Sequence, residues 1–177
     1  MHASLFPLLP LLALVSASPI TKRQNLGTVI VSGRDSSLCL SVEGGREAAQ
    51  GGKLTNGTLV TSIPCGVASF WDIVEGSGSV IVTGTDFALD IGLEPANHGG
   101  LKVWKSYPTA PQQTWYLTPD HRIAQTGGDQ CLDQGDDRVQ TYQCTTGNTN
   151  QGKLFSLSTS WADIQSGTSS PPYPSRP

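Results

Sequence analysis

Basic residues, methionine and long apolar runs are all scarce in this 177-residue chain. Lys and Arg number 11 against 14 Asp and Glu, for a formal charge of −3. A nucleic-acid partner requires a concentrated basic face, so that function class fits poorly. Charged residues make up only 14%, and the one Met is the first residue. No stretch of a dozen residues carries an apolar period of 3.6, which argues against a helical bundle or a coiled coil. Beyond the N-terminal leader, nothing is apolar enough for a membrane span, which needs about 20 such residues. No C-x-x-C spacing occurs, and apart from His2 only His98 and His121 are present, so a zinc site lacks ligands. What the chain has instead is 20 Gly and 12 Pro amid abundant Ser, Thr and Val. That mixture favours strands and turns, and the length suits one domain.

The two ends differ from the middle. Residues 1–18 hold an apolar run at 5–15 followed by small residues, the pattern of a secretory signal peptide. Pro19-Ile20-Thr21-Lys22-Arg23 then ends in a dibasic pair, which predicts a short propeptide at 19–23 and a mature chain beginning at Gln24. Its removal takes away two positive charges and moves the formal charge from −3 to −5. Residues 159–177 are rich in Ser and Pro without periodicity and read as a disordered tail.

Secretion makes disulfides the expected state of Cys39, Cys65, Cys131 and Cys144. Three pairings are open to four cysteines. Joining neighbours would staple two local loops of 26 and 13 residues. Each staple would add roughly 3 kcal/mol in the chain-entropy account. Asn56-Gly57-Thr58 is the one N-glycosylation sequon, and its Asn-Gly step predicts an exposed turn.

The middle of the chain repeats itself. Leu40-Ser41-Val42, Leu89-Asp90-Ile91 and Leu132-Asp133-Gln134 recur in phase with Trp71, Trp115 and Phe155. Between these landmarks lie Thr58-Leu59-Val60, Leu101-Lys102-Val103-Trp104 and Arg138-Val139-Gln140-Thr141-Tyr142, each a short strand. Val29-Ile30-Val31, Val80-Ile81-Val82 and Arg122-Ile123-Ala124 open the units, at about 27–74, 75–118 and 119–158. One unit of about 40 residues cannot bury its own apolar face, but three around an axis can. Trp71, Trp115 and Phe155 are then equivalent core positions.

The run Cys131-Leu132-Asp133, Val139-Gln140-Thr141-Tyr142-Gln143-Cys144 and Asn150-Gln151 before an aromatic resembles the ricin B-type lectins. The Gln-x-Trp signature of that family stands intact at Gln113-Thr114-Trp115. The resemblance covers residues 24–158 and implies an all-β fold, a β-trefoil of three repeats with pseudo-threefold symmetry. It also implies disulfides within a unit, in agreement with the neighbour pairing.

Its further implication is a non-catalytic protein that binds glycans, of galactose or N-acetylgalactosamine type. A carboxylate accepts from two adjacent hydroxyls, an aromatic ring stacks on the C–H face of a sugar, and amides serve hydroxyls that both donate and accept. In the third unit Asp133 would anchor the sugar and Tyr142 would stack, with Gln140, Asn150 and Gln151 completing or supporting the site. Two extra residues stand between Gln151 and Phe155. The second unit offers Asp90, Trp104 and Gln113, with Lys102 where Gln is usual. The first has Ser41 for the Asp and Ile63 for the ring, and reads as inactive.

No cofactor or metal site is expected. Asp133, Asp136 and Asp137 do not match a calcium loop, Gly51-Gly52-Lys53 is not a phosphate loop, and no G-x-S-x-G elbow occurs. His98 and His121 read as surface histidines. The alternative to a lectin is a secreted, protein-binding trefoil such as a protease inhibitor.

Overall fold

A computed structural model describes residues 24–151 apart from 75, 121 and 137. The leader at 1–18, the propeptide at 19–23, Phe155, the tail at 159–177, His121 and Asp137 lie outside the described residues. Among the described residues the chain forms thirteen strands, one helix of six residues and one 3-10 turn.

Three antiparallel hairpins organise the molecule. β2 (Leu38–Val42) pairs with β3 (Val60–Pro64), β7 (Phe87–Asp90) with β9 (Lys102–Lys105), and β12 (Gln130–Gln134) with β13 (Val139–Gln143). Their registers are equivalent. Ser41 stands opposite Thr61, Asp90 opposite Lys102 and Asp133 opposite Gln140. Two residues earlier, Cys39 faces Ile63, Ala88 faces Trp104 and Cys131 faces Tyr142. The β7–β9 hairpin is joined by β1 (Gln24–Thr28), β4 (Trp71–Val74) and β6 (Val80–Val82) in one sheet, ordered β1-β4-β6-β7-β9, while β2 and β3 form a two-stranded sheet of their own. A second sheet takes in β5 (Ser77–Gly78), β8 (Gly99–Gly100), β10 (Trp115–Leu117) and β11 (Ile123–Gln125), ordered β5-β10-β11-β12-β13-β8.

All three repeats point apolar side chains into one core. Ile30, Leu40 and Trp71 from the first unit meet Leu89, Val103 and Trp115 from the second, and Ile123 and Leu132 from the third. Both tryptophans are fully buried, so each indole N–H needs an acceptor. Trp71 Nε1 donates to the carbonyl of Leu40 at 3.0 Å and Trp115 Nε1 to that of Leu89 at 2.9 Å, the same bond in two repeats. Cys39 is bonded to Cys65 and Cys131 to Cys144, so each disulfide closes one hairpin.

Three local features differ from the sequence expectation. The middle strand of the first unit is Val60–Pro64, not 58–60, because Thr58 and Leu59 are engaged by the second unit. Val103 N donates to the Thr58 carbonyl at 2.8 Å, and Leu59 bridges Lys102. The first unit opens with β1, while Val29, Ile30 and Val31 lie buried beyond it and Leu40 N donates to the Ile30 carbonyl. A helix, α1 (Gly45–Gln50), also stands between β2 and β3, anchored by buried Ala49. Gly45 is required there: its φ is +67° and a Cβ would meet the Val67 carbonyl oxygen at 2.7 Å.

β8 links two of the units. It belongs to the second unit by sequence but pairs with β13 of the third. Residues just before it are thereby laid along the edge of the third hairpin.

Candidate binding site

The third hairpin buries a carboxylate, as the second does at Asp90. Every residue of β12 is buried, and Asp133 is only 2% exposed. An isolated carboxylate in such a place would be costly, so it needs donors. Gln140 Nε2 donates to Asp133 Oδ1 at 3.0 Å from the opposing strand, and Asn148 Nδ2 donates to Oδ2 at 3.3 Å. Each carboxylate oxygen retains a further lone pair. Gly135 lets Gln140 lie flat here, since a Cβ at that position would sit 2.8 Å from the Gln140 amide carbon.

Gln140 is itself oriented. With its Nε2 committed to Asp133, its Oε1 accepts from His98 Nδ1 at 3.1 Å, which requires the proton on that nitrogen. His98 also stands edge-on to half-buried Tyr142, with ring centroids 5.1 Å apart and planes at 77°. The result is a cleft of about 660 Å³ with Asp133 and Gln140 at its base and Tyr142 and Asn150 on its walls.

Asn150 and Gln151 divide their work. Asn150 lines the cleft, and its carbonyl accepts from Gln134 N at 3.2 Å. Gln151 does not face the cleft. It is fully buried, donating to the carbonyl of Gln143 at 2.9 Å and accepting from Thr145 N at 2.9 Å. The second repeat repeats both of these bonds. Gln113 donates to the Lys105 carbonyl at 3.1 Å and accepts from Tyr107 N at 2.8 Å. Gln113 and Gln151 are therefore loop anchors behind the sites, supporting them without lining them.

The second repeat forms a smaller cleft of about 260 Å³ between Asp90, Lys102, Trp104, Tyr107 and Gln112. Asp90 accepts from Gln113 Nε2 at 3.0 Å and from Gly92 N at 2.8 Å. Trp104 is 37% exposed, and Lys102 Nζ lies 5.3 Å from its ring centre. The ammonium thus covers the ring that a sugar would need. In the first repeat the corresponding hydroxyls of Ser41 and Ser69 bond each other at 3.0 Å, both fully buried, and Ile63 takes the ring position.

Two residues of the third site escape sequence reasoning. His98 is exposed, as a surface histidine should be, yet it stands at the rim of the cleft with Gln140 as its partner. Asn148 supplies to Asp133 the amide that Gln113 supplies to Asp90. Asp136 is on the cleft and paired with Arg34. Among the described residues no three His, Cys, Asp or Glu gather as a metal site. Asn56 is exposed on its turn, with Oδ1 accepting from Lys105 N at 2.8 Å. No helix among the described residues is long and apolar enough to cross a membrane.

Comparison with known proteins agrees with this geometry. The designed three-fold symmetric protein ThreeFoil superposes with a TM-score of 0.56 at 17% identity, over 70% of this chain and 93% of that one. The C-half of an earthworm R-type lectin, crystallised with GalNAc, gives 0.50 at 20% identity, over 71% and 93%. GalNAc-T7, crystallised with UDP, GalNAc and Mn2+, gives 0.52 at 20% identity, over 71% of this chain. This chain spans only 21% of GalNAc-T7. No curated protein sequence matches. At these identities the likeness shows the fold, a β-trefoil. A model of the ricin-type β-trefoil lectin domain matches residues 27–152, and the chain, with its three equivalent hairpins and buried tryptophans, belongs to that family.

Proposed function

We propose that this chain is a secreted, non-catalytic lectin whose main site is the third repeat and whose ligands are glycans of galactose or N-acetylgalactosamine type. The observation that carries the reading is the buried Asp133 carboxylate, held by two side-chain amides beside the Tyr142 ring. Fixed donors leave its remaining lone pairs directed and ready, so adjacent sugar hydroxyls find acceptors that need no reorganisation. Galactose presents its 3- and 4-hydroxyls on one side and a C–H patch for stacking on the other, and Tyr142 is placed for the patch. Nothing in this arrangement calls for bond cleavage: Asp133 serves as an acceptor, tethered by Gln140 and Asn148. The second repeat is a weaker auxiliary site, because Lys102 occupies the Trp104 face. Two weak sites on one chain gain by avidity on a dense glycan surface. Secretion is supported by the leader at 1–18 and by two disulfides, which persist in oxidising compartments.

The test is a glycan array with the full mature chain beside its Asp133→Ala variant. Galactose-type glycans should bind the parent and be lost from the variant, which should still melt cooperatively. An array on which the parent binds no glycan overturns the lectin reading and turns attention to a protein partner. N-terminal sequencing of the secreted protein should begin at Gln24, and a start at Pro19 would rule out the dibasic cut.

A further inference from the structure

The third-repeat cleft is more than twice the size of the second, at about 660 Å³ against about 260 Å³. Part of the difference lies toward Arg34, a residue of the first repeat on the loop before β2. Arg34 reaches Asp136 of the third repeat, and the two form an ion pair at the mouth of the cleft. A second groove of about 430 Å³ begins on the other side of that pair. Arg34, Gly135 and Asp136 line both spaces, and Asp35, Ser36 and Leu38 continue the second. The two hollows are therefore one trough crossed by a single ion pair.

That pair is not a structural lock. The Arg34 side chain is 46% exposed and that of Asp136 is 82% exposed. Ion pairs so exposed hold little free energy and rearrange readily. A guanidinium has five N–H donors, and among the described residues the Arg34 side chain has Asp136 as its hydrogen-bond acceptor. A donor beside an acceptor, in a pair that opens readily, is what a sugar hydroxyl, which does both, can bridge.

Resting on the galactose-type reading of the Asp133 site, we propose that the first repeat lends the third a second subsite, so that the trough takes an oligosaccharide of at least two rings. The outer ring lies across Arg34 and Asp136, with guanidinium N–H groups donating to its hydroxyls and the Asp136 carboxylate accepting from them. The first repeat has no site of its own, with Ser41 and Ile63 where a carboxylate and a ring would stand, and contributes through this loop instead. Asp133 and Tyr142 select the inner ring; Arg34 and Asp136 select for length.

Titration calorimetry on the full mature chain tests this with methyl β-galactoside, lactose and the galactose-terminated tetrasaccharide lacto-N-neotetraose. One of the two oligosaccharides should bind about tenfold tighter than the monosaccharide, a difference of about 1.4 kcal/mol. In Arg34→Ala the advantage should shrink to less than about threefold while methyl β-galactoside binds as before. Asp136→Ala should act in the same direction. Equal affinity for all three sugars, or an advantage that survives in Arg34→Ala, overturns the second subsite and leaves the galactose reading standing. Failure of all three sugars to bind the parent overturns both.

Discussion

At the scale of the residue, two kinds of polar group are buried at this site and they should respond differently to mutation. On the proposed reading Asp133 meets a ligand, whereas Gln151 anchors a loop. Asp133→Asn keeps the shape but presents an amide to Gln140 or Asn148, so one donor faces another. Calorimetry should show sugar binding lost, with a melting temperature lowered by the facing buried donors. Gln151→Ala leaves the Thr145 N–H without its acceptor and empties a fully buried position, while the Gln143 carbonyl keeps the Thr145 hydroxyl. An orphaned buried group costs about 1–3 kcal/mol, so this variant should melt several degrees lower. Tyr142→Phe should bind as the parent does. Tyr142→Ala should bind several-fold more weakly, in line with the roughly 0.5–1.5 kcal/mol that ring contacts contribute.

At the scale of the element, the β12–β13 hairpin and the β10–β11 hairpin are closed by different means. Cys131–Cys144 ties β12 to the segment after β13 and so holds Asp133 opposite Gln140. Replacing both cysteines by Ala should cost about 2–5 kcal/mol, read as a lower denaturation midpoint. Weaker sugar binding should accompany it, because the strands that carry the site lose their tie. The β10–β11 hairpin turns through Thr118, Asp120 and Arg122. The Thr118 hydroxyl, and then Arg122, hold the Asp120 carboxyl below the usual carboxylate range. A lowered folded-state value means stabilisation that is present above the unfolded value of about 3.9 and is lost as pH falls through the folded value. Asp120→Asn should therefore melt slightly below the parent near neutrality, and the gap should close below about pH 4. A gap that widens in acid would contradict this.

At the scale of the whole molecule, pseudo-threefold symmetry is kept in the core and broken at the surface. Trp71 and Trp115 make the same indole bond in successive repeats, and the register of the three hairpins is the same. The sites diverge because only the core is bound by the requirement that three units close on one another. This makes the first repeat hard to repair. Ser41 is fully buried with the Ser69 hydroxyl as its side-chain partner. Ser41→Asp would bury a carboxylate with no side-chain amide to hold it, at a cost of several kcal/mol. The expected outcome is a lower melting temperature with no additional sugar bound per chain, measured by calorimetry.

The in-phase recurrence of Leu-Ser or Leu-Asp pairs and aromatics determined three strand-rich repeats around one core, and the resemblance to the ricin B-type lectins implied the trefoil and the placing of Asp133, Gln140 and Tyr142 together. Period-two alternation and turn residues are local signals, and neighbouring strands obey them. The departure of the first repeat was legible too, since Ser41 and Ile63 fall where the third repeat has Asp133 and Tyr142. Only the tertiary structure decided that Gln113 and Gln151 anchor loops, that Asn148 tethers Asp133, and that His98 and Arg34 border the third cleft. His98 arrives through β8, a strand of two residues, too short to carry any alternation. Its partner Gln140 is 42 residues away, and Arg34 meets Asp136 across 102. The cleft lies on a seam between repeats, where closure of the three units creates contacts that leave no period in the sequence.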